Sequence, residues 1–174
     1  IDHCLFKYIV TCMIRTKKDK GANNKIIYQV DAFTDQPFRG NPAGVCILDN
    51  EPPAAWMQNI AMEMNLSETA YVFPGKDKLN IRFYTPQSEI DLCGHATLSA
   101  SHILFETGRF SRDEVIELNS KAGVLKVRKN EEMIAMNFPA YPVEKTDIPS
   151  EFESIIGIRP SEFYKSVYGW TLAL

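Results

Sequence analysis

A thiol, a glycine and an imidazole occupy consecutive positions at Cys93-Gly94-His95, just ahead of an apolar run that begins at Ala96. That junction reads as a helix N-terminus. The first turn of a helix leaves backbone N–H groups without intrahelical partners and carries partial positive charge, which suits a carboxylate and any negative charge that develops beside it. The same field is expected to favour thiolate over thiol at Cys93. His95, early in the helix, is expected to lie toward its neutral form. The second candidate is Glu68, in the polar step Ser67-Glu68-Thr69 between Leu66 and the apolar residues 70–73. Partial burial there would raise a carboxyl pKa toward neutrality and equip it as a general acid or base.

Each candidate has a plainer competitor. Cys93 and His95 also read as a buried cysteine beside a structural histidine, and Glu68 as a solvated loop residue. His102, well inside the apolar run, reads as a core histidine. A Cys93–His95 hydrolase dyad is a weak reading, because two residues so close in sequence need not point together and no cysteine-protease signature surrounds them. Three histidines and four scattered cysteines show no zinc-like spacing, so no metal is expected. The loop around Gly40 and Gly44 lacks the order of a dinucleotide or phosphate-loop fingerprint.

The elements that would position these residues follow from periodicity and punctuation. Residues 26–33 read as a strand rich in branched and aromatic side chains, the Gly/Pro-containing stretch 38–44 as a turn, and 45–48 as a second strand. Pro52 and Pro53 suit a helix start, and Trp56, Met57, Ile60 and Met64 continue it at three- and four-residue spacing. Residues 69–73 and the alternating Leu79, Ile81 and Phe83 read as strands, joined by a turn at Pro74-Gly75. From Gly94 to Thr107 the sequence is small and apolar on nearly every side, which predicts an enclosed helix ended by Gly108. Strands are expected at 115–118, 124–128 and 133–138, and a short helix at 151–156 stopped by Gly157. Strands gathered around one apolar helix make an α+β arrangement.

Composition narrows the function classes. A hydrophobic content of 45% argues against general disorder, and 174 residues can bury a substantial core. Residues 1–25 carry six Lys or Arg against Asp2 and Asp19, which leaves an acidic body without a basic stripe, so nucleic acid is not an expected partner. No apolar stretch reaches the roughly 18 residues of a membrane span, and no membrane partner is expected. Cys4, Cys12, Cys46 and Cys93 form no CxxC pair and no dense scaffold, which fits a reducing, cytoplasmic setting.

Four motifs in order, Asp31-Ala32-Phe33-Thr34, Gly40-Asn41-Pro42-Ala43-Gly44-Val45, Glu63-Met64-Asn65-Leu66-Ser67-Glu68-Thr69-Ala70 and Asp91-Leu92-Cys93-Gly94-His95-Ala96-Thr97, closely resemble the PhzF-like, phenazine-biosynthesis-like family. The resemblance implies the diaminopimelate-epimerase-like fold, in which two similar halves each curl an antiparallel or mixed sheet around a central apolar helix, with the active site between them. It divides the chain into an atypical basic extension at 1–25, an N-terminal PhzF-like domain at 26–160 and an atypical tail at 161–174, with the family's second domain absent. The chain is therefore expected to be a fragment or variant product, with impaired activity and an exposed half-domain surface open to self-association or a protein partner.

By the same resemblance Glu68 is the general acid/base that moves a proton on substrate carbon, and Gly94, His95, Asn41 and Ala43 contact or shape the substrate site. Cys93 falls where related epimerases carry a catalytic thiol, which some phenazine isomerases lack. The implied activity is cofactor-independent isomerisation or epimerisation of a small carboxylate-bearing metabolite, with carbanion- or enol-like charge held by backbone donors. The alternative is a non-enzymatic protein-interaction module that keeps the fold.

Overall fold

A computed structural model describes residues 4–6, 9–15, 26–131, 133–140, 142–166 and 171–174. The chain divides into two compact units, Ile1–Phe138 and Pro139–Leu174. In chain order the first unit contains β1 (Cys4–Phe6), β2 (Ile9–Arg15), β3 (Ile26–Ala32), β4 (Asn41–Ile47), α1 (Ala54–Met64), β5 (Glu68–Pro74), β6 (Leu79–Tyr84), β7 (Glu89–Ile90), α2 (Gly94–Glu106), β8 (Ile116–Ser120), β9 (Gly123–Asn130) and β10 (Met133–Asn137). Its ten strands form one sheet in the order β1-β10-β9-β8-β6-β5-β4-β3-β2, with β7 paired to β6. The sheet is mixed: β4–β5 and β6–β8 are parallel pairs and the other pairs are antiparallel.

The sheet curls around α2. Nine of the helix's thirteen residues are buried, and one core joins Leu98, Ile103 and Leu104 to Val30, Val45, Val72, Ile81, Leu118, Val127 and Met136 from seven strands. The small side chains Ala96, Ser99 and Ala100 let strands approach the helix on several sides. Two buried hydroxyls are satisfied by bonding back to the helix, Thr97 Oγ1 to the Cys93 carbonyl at 2.7 Å and Ser99 Oγ to the His95 carbonyl at 2.8 Å. Gly108, at φ 68°, supplies the left-handed residue after the last turn, and the Arg109 amide then reaches the Leu104 carbonyl at 3.1 Å.

A second core lies on the other face of the sheet, where Met57 and Ala61 of α1 pack on Ile27, Cys46, Tyr71 and Phe73. The buried Tyr71 hydroxyl donates to the Met57 carbonyl at 2.6 Å. β5 is thus covered on both faces: Ala70 and Val72 belong to the α2 core, Tyr71 and Phe73 to the α1 core. Strand periodicity places Glu68 on the Ala70 and Val72 face, toward α2.

The elements expected at 26–33, 52–64, 69–73, 79–83, 94–107, 115–118, 124–128, 133–138 and 151–156 all occur, with shifts of a few residues at their ends. The larger difference is β4, which begins at Asn41 within the expected turn. Pro42 is tolerated there because β4 pairs only with β3 at Asn41 and Pro42, and pairing with β5 starts at Ala43. Residues 4–6 and 9–15, not foreseen as strands, pair with β10 and β3 at the two ends of the sheet, and the rest of 1–25 lies outside the described residues.

The second unit contains β11 (Val143–Lys145), α3 (Phe152–Ile156), β12 (Phe163–Ser166) and β13 (Thr171–Ala173), its strands ordered β11-β12-β13. Phe152 and Phe163 meet edge to face with ring centroids 5.1 Å apart. Of the C-terminal tail, residues 167–170 lie outside the described set.

Candidate active site

Three chain segments converge at one end of α2. Cys93 caps the helix in an extended conformation, φ −144° and ψ 120°, and His95 follows one residue inside the first turn. Glu68 opens β5 and pairs in parallel register with Ala43 of β4. The segment that delivers Cys93 is anchored through β7, because Arg82 of β6 grips the Glu89 carboxylate with two bonds, 2.7 Å from Nε and 2.8 Å from Nη2. The same guanidinium also reaches Tyr84 Oη at 2.7 Å and Glu51 Oε1 at 3.0 Å. This pairing and the Lys121 ammonium hold the Glu89 carboxyl at about 2, far below its ordinary value.

The imidazole of His95 is the centre of the cluster. Its Nδ1 lies 3.3 Å from Cys93 Sγ, and its Nε2 lies 3.4 Å from Glu68 Oε2 and 3.3 Å from Ser67 Oγ. Ligand-type atoms of Glu68, Cys93 and His95 all fall within 4.8 Å of one another. The side chains are partly shielded: 19% exposed for Glu68 and 10% for His95.

Burial decides the protonation of two of them. The Cys93 thiol is pushed up to about 12 above all by desolvation, which outweighs the lowering pull of the Ala96 amide; the neighbouring Glu68 carboxylate adds to the rise and the His95 amide opposes it. The expected thiolate is therefore overturned: the N-terminal dipole acts on Cys93, but loss of water around the sulfur outweighs it. Burial also lowers the His95 pKa, although Glu68 and the Pro42 carbonyl favour the charged ring. A neutral thiol and a neutral imidazole follow at neutral pH. One proton arrangement compatible with these contacts has Cys93 S–H donating to Nδ1 and Nε2–H directed to the Ser67 and Glu68 oxygens.

Of the residues singled out in the sequence, Glu68, Cys93 and His95 come together. Gly94, between the thiol and the imidazole, is uncrowded: a Cβ placed there would find only Phe138 Cζ, at 3.8 Å. Ala43 is fully buried opposite Glu68, whereas Asn41 is exposed at the start of β4. His102 lies within α2, partly buried, and burial lowers its pKa.

Sequence reasoning passed over Ser67 as a site residue in its own right, although it adjoins Glu68, and it passed over the Pro42 carbonyl because a backbone atom leaves no signal in residue type. It also foresaw no ligand cluster, since spacing along the chain does not show that β5 begins beside the first turn of α2. A concavity of about 520 Å³ lies at the opposite end of β5, lined by Pro74, Lys78, Phe110 and Glu117 among others. Of its two carboxylates, Asp77 and Glu117, the latter is already paired with Lys78 and Lys126.

Residues 30–163 match the model of a family described as phenazine biosynthesis-like protein. The chain belongs to that family. A relative from Halalkalibacterium halodurans, called an uncharacterized isomerase, is 46% identical over 135 residues, covering 77% of this chain and 51% of that protein. The phenazine biosynthesis-like domain-containing protein of Homo sapiens is 39% identical over 138 residues, covering 75% of this chain and 47% of its own length. A crystal structure of a PhzF-family protein from Enterococcus faecalis superposes with a TM-score of 0.72 at 40% identity, over 81% of this chain and 54% of that one.

A hydroxyproline epimerase from Agrobacterium vitis, 13% identical with a TM-score of 0.51 over 77% of this chain and 48% of its own, shares the fold. The mixed sheet curled around α2 is thus a PhzF-like, epimerase-like α+β half. The chain spans about half the length of the relatives it matches.

Proposed function

We propose that this PhzF-like chain supplies the acid–base half of a cofactor-independent isomerase or epimerase acting on a small carboxylate-bearing metabolite. The observation that carries the reading is the meeting of the Glu68 carboxylate, at the head of β5, with the neutral His95 imidazole in the first turn of α2. In this role Glu68 takes a proton from a substrate carbon adjacent to a carboxyl or carbonyl group and returns it to the same or a neighbouring carbon. Backbone N–H groups of the first turn of α2, around Gly94, stabilise the oxyanion of the enol-like intermediate. His95 orients Glu68 through its Nε2 contact with the carboxylate. Cys93 serves as a neutral hydrogen-bond donor to the ring. Isomerase names among the relatives support the reaction class.

Deuterium exchange tests it. The chain is incubated in D2O with a panel of small amino and unsaturated carboxylates, and mass spectrometry follows label entering carbon. Incorporation that stops in Glu68→Gln supports the assignment, and exchange unaffected by Glu68→Gln refutes it. The non-enzymatic reading has its own footing in the second unit, where Ile155, Ile156 and Ile158 are 73%, 58% and 71% exposed. It takes precedence when neither the wild-type chain nor a longer form exchanges deuterium with any carboxylate.

A further inference from the structure

We propose that Glu68, Cys93 and His95 form a binding site for one zinc ion, which closes the acid–base site when it binds. The donor set is the first argument: one thiol, one imidazole and one carboxylate are the three side-chain types that zinc takes, and their ligand atoms lie within 4.8 Å of one another. The Sγ–Nδ1 separation of 3.3 Å is the second. Sulfur at about 2.3 Å and nitrogen at about 2.0 Å from a tetrahedral ion stand roughly 3.5 Å apart, so those two atoms are nearly placed already. The Glu68 carboxylate completes three ligands by a side-chain rotation at the mouth of β5, and a tetrahedral ion keeps its fourth position for water.

The surroundings support the same assignment. A metal on Nδ1 leaves Nε2–H free to donate, and Ser67 Oγ already lies 3.3 Å from that nitrogen, an outer contact of the kind that fixes a metal-bound imidazole. Two ligands are carried on the first turn of a buried helix and the third on the first residue of a central strand, so the site is held by rigid elements. A single carboxylate among softer donors disfavours magnesium and calcium, which prefer several oxygens. On binding, the Cys93 S–H bond breaks, its proton passes to solvent, and the sulfur donates its electron pair to the ion; no electron changes hands. The inhibitory consequence rests on the proposed function, because the occupied carboxylate and imidazole are the groups assigned to proton transfer.

The test is a titration of the full chain with Co2+, a spectroscopic substitute for zinc whose bond to thiolate gives a near-ultraviolet charge-transfer band. One equivalent is expected to raise the band, one equivalent of Zn2+ to abolish it, and excess Mg2+ to leave it unchanged. Cys93→Ser is expected to remove the band, His95→Gln and Glu68→Gln to weaken Co2+ binding by tenfold or more on the scale of about 10 to 100-fold typical of lost metal-site contacts. Separate Cys4→Ala, Cys12→Ala and Cys46→Ala variants are expected to keep it.

A band that survives Cys93→Ser, or no band in the folded wild-type chain at one equivalent, overturns the proposal. Should Cys93→Ser fail to fold, a Cys4→Ala, Cys12→Ala, Cys46→Ala triple variant, in which Cys93 is the one thiol left, decides the matter: a cobalt band kept in the folded triple variant supports the site and its loss there refutes it. Cobalt binding without deuterium exchange on any carboxylate would leave the metal site standing and remove the catalytic reading. Exchange without cobalt binding would do the reverse.

Discussion

His95 meets Glu68 at 3.4 Å, imidazole Nε2 to carboxylate Oε2, and this contact joins the first turn of α2 to the first residue of β5. The two side chains come from separate elements whose positions are set by different forces. β5 is held by pairing with β4 and β6, and α2 by apolar burial inside the curled sheet. The contact therefore reports on both at once, and its chemistry and its stability can be tested separately.

The stability of the chain is expected to fall as pH drops through the histidine range. Burial lowers the pKa of both His95 and His102 below the ordinary value of 6.5, so the unfolded chain binds protons that the folded one refuses. The contribution is intact above pH 6.5 and is lost as pH falls from 6.5 toward the lower folded values. Thermal melts between pH 7.5 and 5.5 are expected to show a declining midpoint, flattened in part by His95→Gln and further by adding His102→Gln. A slope that neither substitution changes would count against the buried, neutral rings.

Cys93 is expected to resist alkylation in the folded chain, because its thiol is held up to about 12 and is 8% exposed. Iodoacetamide at pH 8 should label it far more slowly in the native state than in urea, as read by peptide mass spectrometry. If the proton-transfer reading holds, Cys93→Ser, which keeps an O–H able to donate to His95 Nδ1, should retain more exchange activity than Cys93→Ala. Equal losses in the two variants would remove the donor role.

Gly44 is expected to be irreplaceable beside Thr69. A Cβ there would lie 2.8 Å from Thr69 Oγ1 and 2.9 Å from Cγ2, at the pairing of β4 with β5 one residue from Ala43 and Glu68. Gly44→Ala should cost about 1 to 3 kcal/mol by overpacking. Adding Thr69→Ala, which removes both crowding atoms, should recover part of the loss, so urea denaturation of the two single variants and the double variant should reveal strong non-additivity. Simple addition of the two single effects would refute the steric explanation.

Arg82 is expected to stabilise the route into the site. Its two-point grip on Glu89 ties β7 to β6 just before Cys93, and the side chains are 21% and 16% exposed. Arg82→Leu should cost about 2 kcal/mol, reduced from the cost of breaking a fully buried pair because water still reaches both groups. The Glu89 carboxyl, held at about 2, supports stability above its ordinary 4.5, and this support fades as pH falls from there through about 2. Urea melts at pH 7 and pH 3 check both statements: the gap between wild type and Arg82→Leu should narrow at the lower pH.

Much of the fold could be read from residue type and order. The small apolar pattern of residues 94–107 announced a helix surrounded by protein, and α2 is indeed buried on most sides. Alternation in Leu79, Ile81 and Phe83 marked β6, and the apolar residues 69–73 marked β5, a strand covered on both faces. The short strands β7, β11, β12 and β13 were not legible because two to four residues carry no period, and their pairing comes from neighbours. Pro42 misdirected the start of β4, because whether a proline can sit in a strand depends on which neighbour needs its missing N–H.

By itself, the order of residues determined that this chain would be an α+β half with Glu68 near a strand start, Cys93, Gly94 and His95 at a helix start, and motifs shared with PhzF-like proteins. Those features are local: they depend on periodicity, capping and turn chemistry within a few residues. Only the tertiary structure decided that Glu68, Ser67 and Cys93 share one imidazole, that the sulfur keeps its proton, and that three metal-ligating atoms gather in one place. The physical reason is that desolvation and interatomic distance belong to the packed molecule. Parallel pairing of β4 with β5 and burial of α2 set the distances, and exclusion of water around Cys93 reverses the effect of the helix field on its thiol.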